Sequence, residues 1–346
     1  MAEPLLRVTD LGLYCEPGDF FVDPWRPVDR AVVTHAHSDH ACWGCRRYLT
    51  SADGAGVLRL RVGAESAIDA VRYGEIVDLD GVRVSLHPAG HILGSSQIRV
   101  EYRGEVWVAS GDYKVEPDPT CAPFEPVSCH TFISESTFGL PIYRWEAESA
   151  VFGQIDSWWR ANRDAGRASL LFGYALGKAQ RMLAGIDRTI GPIYTHGAVE
   201  PMNRAYRDAG VDLPTTTYAG SMSRETKWAG SLIVAPPSAN GTPWSRKFGP
   251  SSTGFASGWM RIRGPRRRRS VDRGFVLSDH ADWPGLVATV KATGAGRVLL
   301  THGYTAVLSR WLREQGVEAT TLATRYEGER DDATEGAGPE AEGVAS

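Results

Sequence analysis

Three of the chain's nine histidines and one aspartate fall within six residues, His35-Ala36-His37-Ser38-Asp39-His40, directly after the apolar run Ala31-Val32-Val33. Imidazole suits zinc and similar divalent ions, and so dense a cluster is costly for folding unless it binds metal. In an extended segment, alternation sends His35 and His37 to one side and leaves Asp39 and His40 facing a second position, which predicts two metals. Three further segments end an apolar run with a ligand-type residue: His91 in Pro88-Ala89-Gly90-His91-Ile92-Leu93-Gly94-Ser95, Asp112 in Ala109-Ser110-Gly111-Asp112-Tyr113, and His302 in Leu299-Leu300-Thr301-His302-Gly303. Ligands at strand ends meet at one rim of a sheet, where loops can admit substrate.

Such ligands need strands to present them. Short β-rich runs at Phe20 to Asp23, Ala31 to Thr34, Val82 to Leu86, Gln97 to Tyr102, Glu105 to Ala109 and Thr131 to Ser134 dominate the first 135 residues. Gly, Asp or Pro punctuates most of them, which predicts consecutive antiparallel strands in a sandwich, and Ala64 to Tyr73 reads as the one early helix. From Trp145 the pattern alternates: helix 146–165, strand Ser169 to Phe172, helix Lys178 to Ile186, strand Pro192 to Tyr194, helix 199–209, then the apolar run Ser231 to Ala235. That alternation predicts a parallel α/β unit. Strand Gly274 to Leu277, helix Trp283 to Thr293, strand Arg297 to Thr301 and helix Thr305 to Gln315 follow, and there is no internal repeat.

With 346 residues, 42% hydrophobic and 23% charged, the composition is that of a soluble enzyme of one large domain or two modest ones. No apolar run approaches the roughly 18 residues of a membrane helix, and Met1-Ala2-Glu3-Pro4 lacks the blocks of a signal peptide, so a cytoplasmic location is expected. Five cysteines, an odd number, argue for reduced thiols. The lone C-x-x-C at Cys42 and Cys45 reads as small buried residues rather than a redox pair or metal half-site, because Cys121 and Cys129 are poorly spaced to complete one. The net charge of −3 hides an asymmetry: residues 327–346 carry seven acids and one arginine, leaving +3 on the rest. The acidic tail reads as disordered. Arg261, Arg263, Arg266, Arg267, Arg268 and Arg269 concentrate positive charge beyond what solubility needs, which invites a polyanion, the bland alternative being an exposed basic loop. Gly173 to Lys178 is not a phosphate loop of the ATPase type, since three residues separate the glycines and Ala179 stands where magnesium would need Ser or Thr.

The ligand set H-x-H-x-D-H, a single His, an Asp and a final His resembles the metallo-β-lactamase superfamily. The resemblance implies that His35, His37 and His91 hold a first metal, Asp39, His40 and His302 a second, and that Asp112 bridges them, with Asp23 matching the superfamily's first motif aspartate, which orients ligands. The 190 residues from Asp112 to His302 leave room for an inserted domain. An insertion there resembles the β-CASP nucleases. Ile133-Ser134-Glu135-Ser136-Thr137-Phe138-Gly139 looks like that branch's acidic motif, Ser278-Asp279-His280-Ala281-Asp282 like its second motif and Thr301-His302-Gly303 like its third, while Gly177-Lys178-Ala179-Gln180 resembles the helix opening of the polyadenylation-type members. Ser257 to Met260, through Arg269 to Trp283, looks like the bacterial ligase-associated DNA exonuclease group, with one departure from the wider branch: Asp279 precedes the motif histidine where a small residue is usual.

The implied fold is a four-layer αββα metallo-β-lactamase sandwich with an inserted α/β domain, divided as 1–140, an insert 141–270, a closing part 271–326 and the tail 327–346. The implied cofactors are two divalent ions, Zn²⁺ expected and Mn²⁺ the alternative. Metals acidify water and hold phosphate oxygens but supply no proton for the leaving oxygen. His280, oriented by Glu135, fits that need, with Asp39 also counted in the catalytic set. The expected function is a two-metal phosphodiesterase, foremost a DNA exonuclease in repair, with a DNA ligase and other repair proteins as partners by resemblance. Ribonuclease action is the main alternative; small-molecule hydrolysis and a metal-dead nucleic-acid-binding subunit are minor ones. Lys178 and the six arginines Arg261, Arg263, Arg266, Arg267, Arg268 and Arg269 are expected to contact nucleic acid, and the segment before Lys178 to offer helix N-terminal amides to a phosphate. His87, His130 and His196 read as packing or surface residues.

Overall fold

The computed structural model describes residues 4–262 and 271–324. Near the start, β1 (Arg7–Thr9), β2 (Gly12–Cys15), β3 (Phe20–Val22), β4 (Arg30–Val32), β5 (Arg47–Ser51) and β6 (Ile68–Val71) form one sheet in chain order. Only the first three pair antiparallel; β3 to β6 are parallel. A parallel neighbour needs a crossover, and α1 (Ala55–Val62) supplies it between β5 and β6. The helix expected over 64–73 is therefore corrected: it lies one element earlier, burying Val57, Leu58 and Val62, and Ile68–Val71 is drawn into the edge of the sheet by pairing with β5. Gly54 and Gly56 at its start weaken the helical signal that the sequence offers there.

A second sheet begins as an antiparallel meander of β7 (Ile76–Leu79), β8 (Val82–Pro88), β9 (Ser96–Tyr102) and β10 (Glu105–Ala109), after which β11 (Thr131–Glu135) adds in parallel. The chain then builds a third sheet from β12 (Ala168–Phe172), β13 (Ile193–Thr195), β14 (Thr217–Tyr218), β15 (Leu232–Ala235), β16 (Ser251–Ala256) and β17 (Arg273–Phe275), in the order β14-β13-β15-β12-β16-β17. Every pairing in it is parallel, as the alternating pattern predicts. Its central strands β12 and β15 are buried along their whole length, the mark of a sheet covered on both faces. Among the described residues four helices accompany it: α2 (Glu148–Asp164), α3 (Lys178–Gly185), α4 (Glu200–Asp208) and the short α5 (Pro243–Arg246). The strand after the arginine-rich segment belongs to this third sheet, so these pairings run beyond residue 270.

The chain returns to the second sheet through α6 (Trp283–Thr293), β18 (Arg297–Thr301), α7 (Thr305–Glu314) and β19 (Glu318–Thr321), with β18 parallel to both β11 and β19. The expectation of an all-antiparallel sandwich is thus corrected: both N-terminal sheets are mixed. Between them lies one core, in which Phe20, Val22, Val32 and Leu49 meet Val84, Leu86, Ile98, Val100 and Trp107. The other face of the second sheet packs Phe132, Val298 and Leu300 on Leu286, Val290, Leu308 and Leu312 of α6 and α7. A third core joins Val33, Tyr48 and α1 to Ile155, Trp159, Met182 and Leu183 of α2 and α3.

One close approach fixes the loop after β8. Gly94 has φ +74°, and a Cβ there would lie 2.0 Å from the Gly54 Cα. Gly94→Ala is expected to destabilise the protein by about 2 kcal/mol or more, because both the left-handed backbone and the overlap with main chain oppose it. Urea denaturation should show a lower midpoint at unchanged slope.

Candidate metal centre

Five strands deliver the ligand-type residues with their carboxyl ends. His35, His37, Asp39 and His40 follow β4, His91 follows β8, Asp112 follows β10, Glu135 ends β11 and His302 follows β18. Because β10, β11 and β18 are parallel neighbours, with Ala109 beside Ile133 and Glu135 beside Thr301, three of these residues are forced to one rim. The histidine loop itself is not extended as expected. His40 and Ala41 both donate backbone N–H to the His37 carbonyl, so the segment folds into a turn.

The structure brings His35, His37, His91 and Asp112 together, with one ligand atom from each within 4.8 Å of the others, and places His40 and His302 on the other side of Asp112 in a second such group. Hydrogen bonding to acceptor-only partners settles which ring nitrogen carries the proton. His91 donates Nδ1–H to the Asp279 carbonyl at 2.8 Å, and His37 donates Nε2–H to the Leu176 carbonyl at 3.2 Å. His40 donates Nδ1–H to Asp23 at 2.7 Å. Thr34 gives its hydroxyl proton to the same carboxylate at 2.6 Å, so its oxygen accepts from His35 Nδ1 at 3.1 Å.

The bare nitrogens left by these assignments converge. His35 Nε2 and His91 Nε2 lie 3.1 and 3.2 Å from His37 Nδ1, and 3.6 and 3.9 Å from Asp112 Oδ2. With no proton between them, these contacts are lone pairs facing lone pairs, and their spacing matches the roughly 3.4 Å edge of a tetrahedron of nitrogen and oxygen ligands around zinc. On the second side, His40 Nε2 and Asp112 Oδ1 are buried polar atoms without a hydrogen-bond partner, and His302 Nδ1 lies 3.7 Å from Asp112 Oδ1. Buried polar atoms are seldom left so, and this donor set fits divalent ions. Asp39 is half-buried beside them, with Oδ2 3.7 Å from His40 Nε2.

Electrostatics favour ligation at His35, His91 and Asp112 and oppose it at His40, whose second proton an incoming ion would have to displace. Burial, reinforced by neighbouring imidazoles, holds the pKa of His35 and His91 well below the ordinary value, which keeps both neutral and able to ligate. Burial acts the same way on His40 but is outweighed by the charges of Asp39, Asp112 and Asp23, which hold its pKa well above the ordinary value. Burial would raise Asp112; the cationic influence of His40 and His280 overrides it and keeps the carboxylate ionised.

Beside the metal residues, His280 Nδ1 donates to Glu135, 2.9 Å from Oε2, and Glu135 Oε1 also accepts the Tyr113 backbone N–H at 2.7 Å. Both side chains are almost fully buried, and the His280 and His91 rings lie 4.6 Å apart. His302 has φ +53° and Asp23 φ +45°, left-handed backbone that is uncommon outside glycine and clusters at functional sites. Ser136 Oγ, bonded to the carbonyls of Thr301 and His302, holds the first of them in place.

Other expected contacts are not brought to the surface. Lys178 is corrected: it is 2% exposed, and its ammonium sits 2.8 Å from Asp279 and 3.0 Å from the Leu277 carbonyl, out of reach of a passing phosphate backbone. The helix-terminal amides on either side of it are likewise engaged, Gly177 N–H by Gln180 Oε1 and Ala179 N–H by the Tyr174 carbonyl. Of the six arginines expected to meet nucleic acid, only Arg261 is described: it is exposed and lies 3.6 Å from Glu146. Arg263, Arg266, Arg267, Arg268 and Arg269, like the tail 327–346, lie outside the described residues. Cys42 and Cys45 are not joined in a disulfide and enter no metal-capable group among the described residues. His87, His130 and His196 sit apart, bonded to Ser85, the Val106 amide and the Ala198 amide. Sequence reasoning misses Thr34, whose one signal is its place directly before His35, and Arg181, three residues beyond Lys178 on the same helix.

No family model matches the chain. It is 31% identical over 317 residues, 90% of its length, to a probable DNA ligase of Opitutus terrae. It is 28% identical over 200 residues, 46% of its length, to the endoribonuclease YSH1 of Yarrowia lipolytica, and 31% identical over 124 residues, 35% of its length, to cleavage and polyadenylation specificity factor subunit 3 of Dictyostelium discoideum. The chain spans only 30%, 23% and 16% of these relatives. Among solved structures, a protein of unknown function from Enterococcus faecalis V583 shares the fold, with a TM-score of 0.57 at 11% identity over 87% of this chain and 80% of that one. By these relationships the chain belongs to the β-CASP branch of the metallo-β-lactamase superfamily.

His302→Ala is expected to lower bound divalent metal by one ion per chain, read by elemental analysis after dialysis. Thr34→Val, which removes the hydroxyl between Asp23 and His35, is expected to weaken metal affinity by roughly 10- to 100-fold in a chelator competition.

Proposed function

We propose that this protein is a two-metal phosphodiesterase that hydrolyses nucleic acid, foremost a DNA exonuclease. The observation that carries the reading is the single carboxylate of Asp112, with the convergent nitrogens of His35, His37 and His91 on one side and the rings of His40 and His302 on the other, and the Glu135–His280 pair alongside. His35, His37, His91 and Asp112 would hold one ion, and Asp39, His40, Asp112 and His302 the other. Zinc suits this mixture of imidazole and carboxylate, and manganese is the alternative. Ions bound there supply Lewis acidity, which activates water and offsets charge that builds on a phosphate.

The remaining chemistry falls to the chain's own residues. Glu135 fixes His280 through Nδ1, so Nε2 is the atom that carries a proton to the departing sugar oxygen. Burial excludes bulk water from this pair and strengthens the carboxylate's hold on the charged imidazole. Asp23 and Thr34 keep His40 and His35 in their ligating tautomers. Arg261, Arg263, Arg266, Arg267, Arg268 and Arg269 belong to this reading as contacts to the phosphate backbone. The architecture belongs to it too: a four-layer αββα sandwich interrupted by a β-CASP insert over residues 141–270.

DNA is favoured because the relative aligned over nine-tenths of the chain is a probable DNA ligase, which also points to ligation and repair proteins as partners. The second reading is RNA cleavage, favoured by the endoribonuclease names of relatives that align over about half of the chain or less. A cytoplasmic site of action goes with this reading; no helix among the described residues is long and apolar enough to cross a membrane.

The test is incubation of end-labelled single- and double-stranded DNA and RNA with zinc or manganese, with product length followed over time. Degradation of DNA from its ends, abolished by chelator, is expected; cleavage of RNA alone would transfer the assignment to the second reading, and no cleavage of either would overturn both. His280→Ala is expected to lower kcat by about 10²- to 10⁴-fold while two ions remain bound. Loss of metal in that variant would instead make His280 a ligand.

A further inference from the structure

Asp279, the residue that departs from the wider branch, lies at the centre of a buried charge cluster that the proposed chemistry does not use. Its carboxylate is 2.8 Å from Lys178 Nζ and 2.7 Å from Arg181 Nη1, and its backbone carbonyl is the acceptor that fixes the His91 ring. Lys178 also donates to the Leu277 carbonyl, and Arg181 to the Ser278 carbonyl, so the two cations of α3 grip three consecutive residues that lead into His280. Arg181 is held in turn by Asp118 at 3.1 Å and by Glu148, and Lys114, two residues after Asp112, sits 2.7 Å from Glu148. Three cations thus face three carboxylates, and all but Glu148 are almost wholly buried. Burial would raise the Asp279 carboxyl, but Lys178 and Arg181 override it and keep the group ionised; burial opposes charge on Arg181 too, and Asp279, Asp118 and Glu148 override that.

A buried cluster of this kind is poor evidence for stability, since taking the charges out of water offsets much of their attraction and apolar replacements are often as stable. Its distinctive property is direction: a guanidinium donates along fixed lines, and here those lines end on the backbone beside two site histidines.

We propose that Asp279 is a positioning residue for the metal centre: clamped by Lys178 and Arg181 of the insert, it sets where its own carbonyl meets His91 Nδ1 and how His280 is presented to Asp112. The inference rests on the two-metal reading above. It makes the insert a structural determinant of metal affinity, although no ligand comes from α3.

The test compares wild type, Asp279→Asn, and the double variant Asp279→Asn with Lys178→Met, which restores charge balance. Three quantities are read: thermal midpoint, zinc affinity of each site by competition with a chromogenic chelator, and kcat and KM on a labelled oligonucleotide. In Asp279→Asn we expect one site to weaken 10- to 100-fold with the other unchanged, and kcat to fall while KM stays within about twofold. In the double variant the thermal midpoint should recover and the zinc affinity should not. Recovery of both together, or a loss of stability with both zinc affinities intact, would overturn the proposal and leave the cluster a structural cross-link. Zinc affinity needs no substrate, so a wild type that binds two ions and cleaves nothing would defeat the nuclease reading alone.

Discussion

The constraint on which this structure depends is the parallel alignment of β10, β11 and β18. Parallel strands end together, and these three lead to Asp112, Glu135 and His302. Once the register is set, the Asp112 carboxylate, the Glu135 carboxylate that holds His280 and the His302 ring arrive at one rim without any loop having to search for them. The histidine turn after β4 and the loop after β8 then need only fold over that rim. Backbone hydrogen bonds thereby do at long range what a short motif does locally, bringing residues 190 positions apart into one site.

Tautomer control is the second layer. Each of His35, His37, His40 and His91 meets a partner that accepts and cannot itself donate the needed proton, whether a backbone carbonyl, a carboxylate, or a hydroxyl whose own proton is committed. Two of those acceptors, Leu176 and Asp279, flank the elements of the third sheet. The ring nitrogen left bare on His37, which follows the first sheet, is therefore chosen by a carbonyl in the loop after β12 of the third, which ties that sheet to the candidate site as well as to the fold.

Much of this was legible in the sequence where one local rule suffices. An apolar run ending in a ligand marks a strand end, and helix Trp283–Thr293 and strand Arg297–Thr301 lie where periodicity puts them. The failures share a cause: they depend on partners far along the chain. The segment 68–71 reads as helix until β5 pairs with it. His35 to His40 reads as extended because a turn closed by backbone bonds leaves no mark in residue type. Lys178 reads as a phosphate contact because nothing near it announces Asp279, and Arg181 goes unnoticed because its carboxylate partner lies 98 residues away. Buried charge is invisible to composition; only tertiary contact separates it from a solvated face.

The charge cluster around Arg181 also bears on modularity. Inserted domains are often pictured as cassettes that enter a scaffold at a loop and can leave it again. Here Lys178 and Arg181 of α3 supply counter-charge to Asp279 and Asp118, which lie outside the segment 141–270 proposed as an insert, and Lys114, also outside it, does the same for Glu148 within it. Excision would strand ionised groups in the host's interior, and a graft from a relative with a neutral residue before the motif histidine would bring cations with no destination. The two sides of that boundary are interlocked by charge, so recombination between members of this branch should succeed only when α3 and the segment 277–280 travel together.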